Sequence, residues 1–353
     1  MKLGLGLYRH MLQDEHLRFA RQMGATHIVA HLCDYFNKGP DVSADDQPVG
    51  DSGGWGYAKG DMWTVEMLEE IKHKIESHDL IWHGIENFDP LHWDQILFNG
   101  PRKDEQIETI KTIVRNVGRV GIPVIGYNFS LTGVTGRIVL NNARGGAQTV
   151  GMDGLNALTE TPMPNSMAWN MVVAPNATGF REQMTEEQLW ANLSWFLTRI
   201  VPVAEEAGVI LALHPDDPPL QVVRGQPKLV YQPEYYQRVL DIASSRSNGL
   251  EFCLGTISEM THGDIYEVTR QYVSQHRVPY IHLRNVVGKV PYYREVFIDE
   301  GQIDVKRIIS ILRECNFEGV IIPDHSPQVS GPAPWHAGMA FAMGYLTALI
   351  KNH

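Results

Sequence analysis

Residues 209–214 (VILALH), 249–254 (GLEFCL), 278–282 (VPYIH) and 319–324 (GVIIPD) decide how this chain is read. Each is a short apolar run of the kind that forms a buried strand, and each carries one potential metal ligand at or next to its C-terminal end: His214, Cys253, His282 and Asp324. If the four runs are successive strands of a parallel α/β barrel, those ends share one rim, where such folds keep their chemistry. The intervals between ligands are 39, 29 and 42 residues. A (β/α)₈ barrel of about 250 residues spends roughly 30 on each strand, helix and pair of loops, so one ligand per unit fits with modest insertions. Zinc ribbons and fingers need far closer pairs and are excluded.

Taken singly, a His or Asp closing a strand more often makes a structural hydrogen bond, and a lone Cys in an apolar run is ordinarily an inert core residue. Four ligand types at four successive strand ends are hard to explain by packing. A divalent cation site is therefore expected at His214, Cys253, His282 and Asp324. The thiolate suits zinc or iron(II), while the carboxylate also admits manganese(II), so spacing alone leaves the ion open.

With 353 residues and 43% hydrophobic side chains, the chain can bury a large core, and one domain over 1–353 is expected. The net charge of −11 argues against wrapping nucleic acid. Three widely separated cysteines, Cys33, Cys253 and Cys315, argue against a disulfide framework and for a reducing, cytoplasmic setting. The opening MKLGLGLYRH is too short in its apolar part for a signal peptide, and no run approaches a membrane span of about 20 apolar residues.

Outward from the four runs, the pattern predicts strands at 2–7, 25–32, 80–86 (ending in Glu86) and 121–128 (ending near Tyr127 and Asn128). Helices are predicted over 11–23, from an N-cap at Thr64 to about 78, over 106–120, and from a Thr185/Gln188 capping box to Ala207. Further helices are predicted over 232–243, 264–275, 305–315 and 336–351. Eight alternations are the arithmetic of a closed (β/α)₈ TIM barrel, and no G-x-G-x-x-G follows the first strand to favour a dinucleotide fold. Long loop insertions are expected after strands 2 and 4: a polar, Gly-rich loop over 37–59 and an unassigned lid or binding arm over about 129–180.

Other residues gather at the same rim. HPDDPP at 214–219 is a stiff acidic turn holding Asp216 and Asp217. Arg284, two residues beyond His282, falls on the same side of a continued strand, where a guanidinium is able to meet a substrate carboxylate. His325 adjoins Asp324, and Trp335 and His336 open the last helix. The two imidazoles are candidate proton carriers, and Trp335 a candidate substrate contact or a packing residue.

HPDDPP, EFCLGT, HLRNV, FIDEGQID, PDH followed by WHAGMAFAMGYLTAL, and YNF after the fourth strand resemble the mannonate dehydratase family, in order and at compatible spacing from the first strand to the last helix. The resemblance implies a xylose-isomerase-like TIM barrel binding a divalent metal, generally manganese, and removing water from D-mannonate to give 2-keto-3-deoxy-D-gluconate. It puts the metal ligands on His214, Cys253, His282 and Asp324, the proton-transferring His on His325, and a substrate contact on Asn128. Some members use a Tyr in a Pro-Gly-Tyr stretch; here Pro334-Trp335-His336 stands in that place, making His336 the candidate replacement. Such a reaction removes a weakly acidic proton from C2 and expels the C3 hydroxyl, so it needs a Lewis acid, charge from Arg284, and two proton carriers. A metal-dependent sugar isomerase or epimerase on the same barrel, and an inactive sugar-acid-binding protein, stay open as alternatives. A homo-oligomer is expected.

Overall fold

The computed structural model describes residues 1–36 and 55–351, so most of the polar loop expected at 37–59 lies outside the described residues. Eight parallel strands close a barrel: β1 (Lys2–Leu7), β2 (His27–His31), β3 (Ile81–Glu86), β4 (Val124–Tyr127), β5 (Ile210–Leu213), β6 (Asn248–Cys253), β7 (Tyr280–His282) and β8 (Val320–Ile322). Each pairs with its sequence neighbours, and β8 returns to β1 through Lys2↔Val320 and Leu3↔Ile321. The (β/α)₈ expectation holds.

The strand pleat divides each sequence run between two environments. Leu3, Leu5, Leu7, Ile28, Ala30, Leu211, Leu213, Leu250, Phe252, Ile281 and Ile321 face the helices in one continuous buried core. Val29, Val124, Ala212, Tyr280, Val320 and Ile322 fill the barrel interior. Gly4 is small for a reason: a Cβ there would lie 2.6 Å from Val320 Cγ1. Alternation then leaves Glu251 and Cys253, and His282 beside them, on the interior side.

The enclosing helices are α1 (Asp14–Gln22), α2 (Val65–Glu76), α3 (Lys103–Val120), α4 (Glu186–Ala207), α5 (Tyr235–Ile242), α6 (Ile265–Val273), α7 (Val305–Glu314) and α8 (Pro334–Lys351). The starts of α2 and α4 follow the caps read from sequence. Thr64 accepts from Met67 N, and the Thr185/Gln188 box closes in both directions at 3.2 and 2.8 Å. Gly208, at φ 68°, ends α4 in the left-handed conformation that glycine adopts most easily.

The barrel also carries a feature that the eight alternations do not predict. Strands Ile138–Ala143 and Ala147–Asp153, from the segment left unassigned after β4, pair antiparallel with a hairpin after β7, Asn285–Lys289 and Tyr292–Val296. There are thus insertions after β4 and β7, joined into one four-stranded sheet. Their pairing is missed in sequence because the strands are short and the partners stand about 140 residues apart, beyond any local periodicity. Among the described residues, no helix is long and apolar enough to cross a membrane.

Thr185→Ala removes one cap from α4 and is expected to cost about 1 kcal/mol. Urea unfolding checks this: the midpoint should fall with the slope unchanged.

Candidate active site at the barrel rim

Register builds the centre. Cys253 and His282 are direct neighbours across the β6–β7 ladder, and His214 follows β5, its N–H bound to Tyr127 O at 2.8 Å. One donor atom each from His214, Cys253 and His282 fall within 4.8 Å of one another, a spacing one cation could bridge. His214 Nδ1 lies 2.6 Å from Pro215 O, which assigns the proton to Nδ1 and leaves Nε2 for a metal. His282 is buried, and neither of its ring nitrogens has a well-aligned hydrogen bond among the described residues. That is a donor left for a ligand.

Cys253 caps the short helix Leu254–Glu259, its sulfur accepting from Thr256 Oγ1 at 3.1 Å and Thr256 N at 3.5 Å. Burial alone would raise this thiol, but the charge of Arg284 and the facing imidazoles of His214 and His282 outweigh it and pull it down to about 5. A thiolate is the form a metal takes. For His214, burial is outweighed by Glu251 and Cys253, which lift the imidazole to about 9.

Asp324 lies beside this triad. Its Oδ1 is 3.7 Å from His282 Nδ1, and its Oδ2 accepts from Arg284 Nε at 3.1 Å. The charges of His325, His282 and Arg284 overcome burial and hold the carboxyl well below its usual range. Three of the four expected ligands, His214, Cys253 and His282, thus come together, and Asp324 lies beside His282. The mixed N, S and O donor set fits a divalent transition metal.

A second group surrounds the far side of His282: Glu251 Oε1 lies 3.1 Å and Glu86 Oε2 3.3 Å from Nε2, and Glu86 also faces His31 Nε2 at 3.5 Å. Burial and the Glu86 charge push this inner carboxyl up, against the pull of His282 and His214. A Cβ at Gly126 would collide with Glu251 and the Tyr280 hydroxyl, so β4 makes room for the buried acid. Glu251 is legible in sequence only through the pleat, two residues before Cys253 on the same face.

Arg284 behaves differently from the expectation. It is 1% exposed and spends its guanidinium on Asp324, Asp217 at 3.1 Å, Thr256 Oγ1 at 3.1 Å and Glu259. Such a side chain braces a ligand and does not line the cleft. Gly255 permits it, since a Cβ there would lie 2.5 Å from Arg284 Cγ. The cleft cation is Arg137, from the segment after β4, paired with Glu295 at 3.1 Å and Asp217 at 3.7 Å. Its Nε has no hydrogen bond among the described residues. Arg137 and Glu295 carry no sequence signal, because only the inserted sheet brings them to the rim.

The open cleft takes in Tyr8, His31, Asn128, Arg137, Trp169, His214, His282, Asp324 and His325. That polar lining suits a small polar ligand. Asn128 ties the ends of two strands: its Nδ2 donates to Pro215 O at 3.1 Å and its Oδ1 accepts from Trp169 Nε1 at 3.1 Å. His325 lies next to Asp324, its Nε2 3.4 Å from Oδ1. Trp335 and His336 are not among the cleft-lining residues. They sit at the start of α8 and pack on α1, with His336 4.8 Å from the Phe19 ring and 5.4 Å from His16, and Trp335 5.6 Å from Phe19. The expected catalytic place of His336 and substrate contact of Trp335 are corrected accordingly: the first turn of α8 directs both rings to a helix.

Replacing Arg284 by Lys keeps a charge but loses the guanidinium fork. Calorimetric titration with Mn²⁺ should show binding weakened by about 10–100-fold. Unchanged affinity in a folded variant would mean that Asp324 does not depend on this brace.

The profile of the D-mannonate dehydratase (UxuA) family matches residues 17–348. The mannonate dehydratase of Streptococcus pneumoniae (strain 70585) is 32% identical over 288 residues, 77% of this chain and 76% of the relative. That of Streptococcus agalactiae serotype Ia is 31% identical over 313 residues, covering 83% and 89%. Among solved structures, mannonate dehydratase from Streptococcus suis serotype 2 superposes with a TM-score of 0.79 at 27% identity, covering 99% of this chain and 93% of that one. A xylose isomerase domain protein from Planctomyces limnophilus, at TM-score 0.56 and 15% identity over 99% and 97%, shares the fold. By sequence along nearly its whole length, the chain belongs to the mannonate dehydratase family of hydro-lyases.

Proposed function

We propose that this chain dehydrates D-mannonate to 2-keto-3-deoxy-D-gluconate with a divalent cation, Mn²⁺ in the first instance and Fe²⁺ or Zn²⁺ as alternatives, held by His214, Cys253, His282 and Asp324. One observation carries the reading: His214, Cys253 and His282 bring donor atoms within 4.8 Å of one another, beside Asp324 and His325 and a cleft that Arg137 also lines. When bound, the cation would supply Lewis acidity toward a substrate carboxylate and its neighbouring hydroxyl.

The chain's own residues do the rest. Arg137 meets the substrate carboxylate, taking the part first read onto Arg284. Asn128 and Trp169 hold the cleft wall against which the sugar chain lies. His325 removes the C2 proton, and the electron pair left behind forms the C2–C3 double bond as the C3 hydroxyl leaves. Protonation of that leaving group is assigned to Tyr8, whose ring lies 4.7 Å from that of His31 in the cleft, in place of His336. Burial, first, and then the charges of Asp324 and Glu86 keep the Tyr8 phenol protonated, as a proton donor must be. The enol so released rearranges to the 2-keto acid.

Chelator-stripped protein given Mn²⁺ and D-mannonate should form a 2-keto-3-deoxy acid, identified by mass and chemical assay, and should form none without metal. A product of unchanged formula would mark an epimerase instead. His325→Asn should lower kcat by about 10²-fold or more while Mn²⁺ stays bound. Full turnover in that variant would refute the assignment of His325.

A further inference from the structure

Glu295 stands apart from the ligand-bearing strands. It lies on Tyr292–Val296, the central part of the inserted sheet, and is 3% exposed. Both of its carboxylate oxygens face His325 Nδ1, at 3.1 and 3.0 Å. Arg137 at 3.1 Å and Arg284 at 3.6 Å flank the same carboxylate. Its backbone is fixed as well: Thr149 Oγ1, on the strand from the other insertion, donates to Glu295 O at 2.8 Å. The carboxylate is thus held from two sides and aimed at one imidazole nitrogen.

The other ring nitrogen lies beside Asp324. His325 Nε2 is 3.4 Å from Asp324 Oδ1, close enough that a proton on Nε2 would be donated to Asp324 and would compete with a cation for that oxygen. Engaging Nδ1–H elsewhere prevents this. We propose that Glu295 is a positioning residue for His325: it accepts the Nδ1–H hydrogen bond, fixes the tautomer with an unprotonated Nε2, and holds that nitrogen toward the substrate. The inserted sheet is then part of the catalytic apparatus, because it delivers the carboxylate that the barrel strands lack. The proposal rests on the reading of His325 as the group that removes the C2 proton. In that step the proton passes from C2 to Nε2, the electron pair it leaves goes into the C2–C3 double bond, and Glu295 remains unprotonated throughout.

A double-mutant cycle on the Mn²⁺-loaded enzyme tests it. Glu295→Gln should lower kcat on D-mannonate by about 10²-fold, with KM and Mn²⁺ affinity changed little. In a His325→Asn background the same substitution should have almost no further effect, because its partner is already gone. Independent losses that multiply, or a loss confined to KM and metal affinity, overturn the proposal and leave the role of His325 standing. Full turnover by His325→Asn alone overturns both. Should Glu295→Gln not fold, Glu295→Asp enters the same cycle, since it keeps the charge and withdraws the carboxylate by one methylene. Histidine-ring ¹⁵N shifts of the zinc-loaded protein give a readout free of turnover. The wild-type His325 ring should be protonated at Nδ1, and an Nε2–H tautomer there contradicts the proposal.

Discussion

The ladder between β6 and β7 sets Cys253 opposite His282, and the rest of the rim is arranged around that pairing. A slip of one residue in a parallel strand turns every side chain to the opposite face, which would bury Phe252 in the barrel and expel the sulfur. The register is secured by the core on both sides of the sheet, with Leu250, Phe252 and Ile281 against the helices and Tyr280 inside. Packing thereby fixes a donor geometry to which no packed residue itself contributes.

Charge imposes the second constraint. The rim crowds Asp217, Glu259, Glu295 and Asp324 around Arg284, with Arg137 against two of them and Glu86 and Glu251 around His282, all in a region largely closed to water. Burying ions is tolerated only when each is paired, and removing one partner of such a pair costs about 3–5 kcal/mol. Arg284 therefore does structural and functional work at once: it neutralises the inner acids, depresses the Cys253 thiol and steadies Asp324. A divalent cation added to this acidic cluster would complete the balance from the cleft side.

Much of the fold is legible in the sequence alone. The four strand runs that end near ligand-type residues, the Thr64 cap, the Thr185/Gln188 box and the glycine at 208 are local signals, and local signals determine strand ends and helix starts. Arg137 and Glu295 were invisible for the opposite reason. Each reaches the cleft only through antiparallel pairing between insertions about 140 residues apart, and nothing near Arg137 in the chain marks its partner. For Arg284 the sequence suggests a substrate carboxylate, because nothing local to it reveals Glu259 and Asp217 as partners for its guanidinium. His336 and Trp335 were drawn to the site by their nearness to Asp324 in the chain, whereas the first turn of α8 carries them onto α1.

The account stands on four barrel strands sharing one ion. X-ray absorption at the zinc edge of the zinc-loaded protein reads that ion's neighbours directly. The expected shell holds one sulfur at about 2.3 Å with nitrogen and oxygen near 2.0–2.2 Å, and the sulfur contribution disappears in Cys253→Ser. A wild-type shell of nitrogen and oxygen alone would contradict it.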